Sequence, residues 1–191
     1  MPPDRPYHHG DLRQAVLAAA VDALTESGPA RLSLRDLARR AGVSHAAPAH
    51  HFGDKAGLLT AVAAEGYNLL ADTLTAAQQR TADFLDVGVA YVRFAVDHRA
   101  HFEVMFRPDL YHPDDPAVAA ARQRAADALY GGVRSVTATR RGPDIPLAGI
   151  AAWSLVHGFA TLWLNPALPP GLGDDPQAAA RAGAALMFRT P

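Results

Sequence analysis

Ser33 and Arg35, then His45, His50 and His51, then Lys55 are placed to handle a polyanion within one short stretch of the chain. A hydroxyl and a guanidinium beside the free amides of a first helical turn can hold one phosphate, and a lysine on the opposite flank can hold another. The imidazoles between them can reach base edges, and the methyl groups of Ala46 and Ala47 are available to the methyl of thymine. Lys55 is the only lysine in the chain, which makes it the natural second jaw of such a clamp. Clustered histidines also raise metal chelation, but His50 and His51 point about 100° apart on a helix. The chelating spacings i, i+3 and i+4 are missing between them and any other His, Asp or Glu except Asp54, so no metal and no cofactor is called for.

The elements that must position these groups follow from local signals. Ser33 precedes Asp36 by three residues, the spacing of a capping box, so a helix should start there. Leu34, Leu37, Ala38 and Ala41 form one apolar stripe, with Arg35, Asp36, Arg39 and Arg40 off it. Gly42 stands where a left-handed residue ends a helix, and Ser44 is the expected N-cap of the next. Counted from that cap, Pro48 removes the first backbone bond of the second helix and implies a tight first turn. Two helices joined by a short glycine turn make a helix-turn-helix, whose second member enters a DNA major groove.

The sequence ARRAGVS, with Phe52 eight residues on, then Asp54-Lys55 and Leu58-Leu59, resembles the N-terminal domain of TetR/AcrR-family transcriptional regulators over residues 8 to 66. The resemblance implies an all-α homodimer with a DNA-binding head and a ligand-binding body, in which an effector moves the heads apart and releases a palindromic double-stranded operator. By motif position Ser33, Arg35 and Lys55 match the family's backbone contacts, while Ser44, His45, Ala46, Ala47, His50 and His51 fall in its reading segment. That segment departs from the common Gly-Thr-Leu-Tyr-His-Tyr-Phe: the threonine and first tyrosine, which hold phosphates in the family, are Ala47 and Ala49 here. Two contacts are thereby in doubt. The resemblance divides the chain into a DNA-binding domain over residues 1 to 54 and an effector-binding and dimerisation domain over 55 to 191.

The rest of the chain fits that division. With 191 residues and 49% hydrophobic content there is material for a real core, and no strand alternation appears anywhere. Net charge is −1, so any DNA affinity must come from locally placed cations and not from a generally basic surface. Cysteine is absent, which excludes disulfides, thiolate metal sites and cysteine nucleophiles. The opening residues lack a basic-then-apolar leader pattern, so a cytoplasmic protein is expected. Pro2, Pro3 and Pro6 make the first nine residues a loose arm, from which Arg5 could touch a minor groove.

Helical spacing predicts helices over residues 10 to 27, 54 to 79, 84 to 97, 98 to 106, 116 to 139, 145 to 164 and 177 to 188, with a polar connector at 140 to 146. Ile145 to Leu164 carries no charge and is about long enough to span a bilayer. Its Pro146, two glycines and central His157 favour instead a helix buried by the body and a partner subunit. The stretch AAWSLVHGFATLW resembles the Trp-His-Gly region of one TetR branch, here Trp153, His157 and Gly158. Phe94, His98, Phe102, Met105, Phe106, Tyr111, Trp153 and His157 offer large apolar surface with polar tips. Most should be core and some should line an effector cavity, with His98 or His157 orienting a polar group. Ser154 and His157 share a helical face, yet no acid and no Gly-x-Ser-x-Gly elbow accompany them, so catalysis is not expected. The competing class is a protein-interaction module whose helix-turn-helix no longer reads DNA.

Overall fold

A computed structural model describes residues 9 to 81, 83 to 137 and 145 to 188. The N-terminal arm with Arg5, and most of the connector at 140 to 146, lie outside them. Among the described residues the chain is helical throughout: α1 (His9–Ser27), α2 (Leu34–Arg40), α3 (Ala47–Phe52), α4 (Lys55–Arg80), α5 (Phe84–Asp97), α6 (Arg99–Met105), α7 (Pro116–Thr137), α8 (Ile145–Leu164) and α9 (Pro176–Phe188). Single 3-10 turns occupy Pro29–Arg31 and Pro108–Leu110. No helix among the described residues is long and apolar enough to cross a membrane.

The chain divides into two compact units. The first unit runs to Glu65 and takes in Ala100–Ala119; the second comprises Gly66–Arg99 and everything from Ala120 onward. Helix α4 is thus shared: Lys55 to Glu65 belongs to the first unit and the remainder to the second.

In the first unit Val16, Ala20, Leu37, Ala38, Leu58, Leu59 and Val62 are shut off from solvent. The i, i+3, i+4 stripes of α1, α2 and α4 supply them, each large aliphatic contributing about 1.5–3 kcal/mol by burial. Phe102, Val104, Met105 and Tyr111 complete this core from the later segment. That segment is also hydrogen-bonded in place, because buried Thr60 accepts from the His112 amide at 3.0 Å and Tyr111 donates its hydroxyl to the Met105 carbonyl at 3.0 Å.

In the second unit α5 packs against both α8 and α9, and Val87, Tyr91, Val92, Phe94 and Ala95 face inward. The N-cap of α5 is Asp83, whose carboxylate accepts from the Leu85 amide at 2.9 Å. Gln78 on α4 donates to the Ala128 carbonyl on α7, and Arg124 on α7 pairs with Asp72 on α4.

Candidate nucleic-acid interface

The turn between α2 and α3 forms as its residues require. Gly42 has φ +66°, and the Val43 amide donates back to the Ala38 carbonyl at 2.9 Å, closing α2. Ser33 occupies the N-cap of α2 with extended backbone, but its side chain makes no capping hydrogen bond. Asp36 lies 3.7 Å from Arg39 instead of reaching back, so the capping box suggested by the spacing is not made. The Ser33 hydroxyl is therefore not used in capping.

The reading helix starts later than the sequence suggests. Residues 44 to 46 form a turn, closed by the Ala47 amide donating to the Ser44 carbonyl at 3.0 Å, and the N-cap is Ala46. Ser44 consequently caps nothing with its side chain. Pro48 falls in the first helical turn, where an amide has no intrahelical partner and proline costs nothing.

This shift rotates the side chains. Ala47, expected among the DNA contacts, is only 6% exposed and packs inward, which argues against contact between its methyl and a base. Ser44, His45, Ala46, Ala49 and His50 are exposed, with His51 half-buried. The His50 and His51 rings meet edge-on at 5.3 Å, and His51 meets Phe52 at 6.4 Å. His45 lies in the turn ahead of α3 and not on it.

Helix α3 ends in a turn that sets its angle to α4. Gly53 has φ +75° and ψ −74°, and the Asp54 amide donates to the Phe52 carbonyl at 3.0 Å, a γ-turn that a side-chain-bearing residue adopts only under strain. Asp54 then caps α4, accepting from the Gly57 amide at 2.8 Å. Lys55 is half-buried, and its ammonium donates to the Ala30 carbonyl at 3.4 Å. Arg35 is exposed on α2. Arg35 and Lys55 thus lie in the same unit as α3, on the helices that precede and follow it.

The eight residues expected to contact an effector are divided between the two units. Phe102, Met105, Phe106 and Tyr111 belong to the first unit, where all but the half-buried Phe106 are core; Phe94, His98, Trp153 and His157 belong to the second. The reason lies at the junction of α5 and α6, where the chain passes from one unit to the other between Arg99 and Ala100. Periodicity cannot report such a crossing.

Within the second unit the structure assembles a polar group that the sequence did not announce. Tyr91 of α5 is fully buried, and its hydroxyl lies 2.9 Å from Nδ1 of His157 and 3.2 Å from Nε1 of Trp153, one turn apart on α8. Indole N–H can only donate, so the tyrosine oxygen accepts from Trp153. The arrangement that uses every group then has the tyrosine proton donated to Nδ1 of a neutral His157. Burial pushes the Tyr91 phenol above its ordinary range and holds His157 below the ordinary imidazole value of 6.5, which favours that protonation pattern. The one readable signal was the Trp153–His157 spacing of four residues; nothing singled out Tyr91 as its partner.

A pH dependence follows from the direction of the His157 shift. Above the ordinary imidazole value both folded and unfolded chains are neutral there and this contribution to stability is complete. As pH falls below it, the unfolded chain takes up a proton that the folded one resists, and stability declines until the folded group also titrates. Thermal melts between pH 8 and pH 5 should therefore show an acid loss that His157→Gln diminishes; identical acid limbs for the two proteins would refute it.

A helix-turn-helix unit with exposed polar residues on its second helix, continued by α4 into a helical body, defines a class of all-α regulators. Residues 16–62 match the family described as bacterial regulatory proteins, tetR family, and residues 84–187, more than half of the chain, match the tetracyclin repressor-like C-terminal domain. The chain belongs to the TetR family of transcriptional regulators, which is not a family of enzymes. A Rhodococcus sp. RHA1 protein of unknown function has a similar structure, with 34% identity, a TM-score of 0.80 and 96% of each chain covered. The TetR-family transcriptional regulator PfmR from Thermus thermophilus is similar at 27% identity and a TM-score of 0.67, covering 91% of this chain and 96% of that one. The HTH-type transcriptional repressor Rv3405c of Mycobacterium tuberculosis is 42% identical over 57 residues, and the match spans 30% of either chain.

Proposed function

We propose that this chain is a cytoplasmic repressor that binds a palindromic DNA operator as a homodimer and is released by a small, largely apolar effector. The observation that carries the reading is α3: a short helix with His50 exposed, flanked by exposed Arg35 and by Lys55 at the start of α4. Ser33, Ser44, His45, Ala46 and His51 complete the proposed contact set. The Mycobacterium tuberculosis relative is a transcriptional repressor, and that supports the same direction.

The dimer rests on one surface. Leu147, Ile150, Ala151, Ser154, Thr161 and Leu162 are exposed on α8 and share a single helical stripe, while Leu186 of the neighbouring α9 is 74% exposed. A monomer would leave this face in water, whereas two copies can pair α8 and α9 as a four-helix bundle across a two-fold axis. Two heads so held meet half-sites about 34 Å apart or a multiple of it. Among the effector residues, Phe94, His98, Trp153 and His157 remain together in the second unit and form our proposed set. An effector that releases DNA must, by linkage, bind the DNA-bound protein more weakly by the same factor.

The test is a salt titration of binding to duplex DNA from the region upstream of the gene. Lys55→Ala should weaken binding to specific and unrelated duplexes alike and lower the slope of log K against log salt by about one, since a phosphate contact carries no base information. An unchanged affinity and slope would refute the clamp. Absence of any salt-dependent DNA binding by the wild-type chain would favour the protein-interaction module.

A further inference from the structure

Sorting the cations of the first unit by what they already hold isolates one that no sequence signal marked. Arg40 is bound to Glu26 at 2.7 Å, Arg107 to Asp109 at 3.1 Å, and Arg39 lies 3.7 Å from Asp36. Arg13, Arg31 and Arg35 are exposed and make no ion pair among the described residues. Of these three, Arg13 alone is seen to be held by an aromatic ring. Its guanidinium carbon sits 5.1 Å from the centroid of the Phe52 ring, and Phe52 is the last residue of α3 and only 9% exposed. The stacked cation therefore stands at the end of the run of rings formed by His50, His51 and Phe52.

A guanidinium that lies over a ring spends its face on the ring and keeps its N–H donors at its edge, where they match phosphate oxygens. Stacking also restricts the side chain before any ligand arrives, so less entropy is lost when it is bound. Arg13 is the first-helix residue tied directly to the reading helix by this stack. We propose that Arg13 of α1 is a DNA phosphate contact, held in position by Phe52, and that it supplies charge next to the helix whose Ala47 and Ala49 hold none. The proposal rests on the DNA-binding reading above.

The experiment measures binding of the full chain to the upstream duplex and to an unrelated duplex of equal length, across a salt series. Arg13→Met keeps an apolar stem against Phe52 and removes the charge; Arg13→Gln is a second neutral variant, and Arg13→Lys keeps charge without the planar stack. Both neutral variants should lose roughly tenfold affinity for both duplexes, with the salt slope reduced by about one. Arg13→Lys should retain the slope and recover only part of the affinity. Unchanged affinity and slope in the neutral variants would overturn the proposal, as would weaker binding at an unchanged slope, which would make Arg13 a positioning residue only. Lys55→Ala run alongside separates the two failures: if it lowers the slope and the neutral Arg13 variants do not, only this inference fails. If wild-type binding shows no salt dependence at all, the DNA-binding reading fails with it.

Discussion

Gly57→Ala should destabilise the protein by about 3 kcal/mol or more, although the same change in an ordinary helix gains about 1 kcal/mol in propensity. Gly57 lies in the first turn of α4, directly against the end of the reading helix. A Cβ there would overlap the Phe52 carbonyl oxygen and stand 3.2 Å from the Phe52 carbonyl carbon. The obstacle is backbone, not the tip of a side chain, and that oxygen is already engaged by the Asp54 amide at 3.0 Å. Either α3 or the start of α4 must move, so the steric term outweighs the propensity gain. Thermal unfolding should show a midpoint lowered by roughly 10 °C, and what remains folded should read DNA poorly because α3 is displaced. Gly131→Ala in α7 is the matched control, because its added methyl would meet only the Gln78 side chain at 3.8 Å, an ordinary contact, and should be neutral or stabilising. A Gly57→Ala protein that melts at or above the wild-type temperature would refute the account of this junction.

The second large effect is expected from charge on the outer face of α8. Ile150 and Leu162 are 47% and 45% exposed and lie on the same stripe, three turns apart, with small residues Ala151, Ser154 and Gly158 between them. Gly158 has nothing within 4 Å of where a side chain would begin, so this stripe could accept the backbone of a second helix closely. Ile150→Glu combined with Leu162→Glu would place like charges near each other across a two-fold axis and strip apolar area from both copies. The double variant should sediment as a monomer at micromolar concentration, whereas the wild type should sediment as a dimer. Operator affinity should fall by about 100-fold or more, because two half-sites are no longer engaged as one event. A double variant that stays dimeric at the same concentration would show that the subunits pair elsewhere.

The sequence by itself determined the class and most of the helices, and the reason is that those signals are local. Gly28-Pro29 after α1, Gly42 after α2, Asp54 before α4 and Pro116 opening α7 each act through their own backbone within one helical turn. The apolar stripes of α1, α2 and α4 were legible for the same reason, since a helix face is a property of spacing. Only the tertiary structure decided that Ala47 turns inward, because that depends on α3 starting after the turn at Ser44, which packing against α1 and α2 selects over the serine cap. It alone placed Phe102, Met105 and Tyr111 in the core of the reading unit and left Phe94 in the other. It alone brought Tyr91 to Trp153 and His157, 62 and 66 residues away, and Arg13 to Phe52. Contacts at such separations leave no periodicity in the chain. They arise where the faces of helices meet, and the order of residues along one helix carries no information about its neighbour.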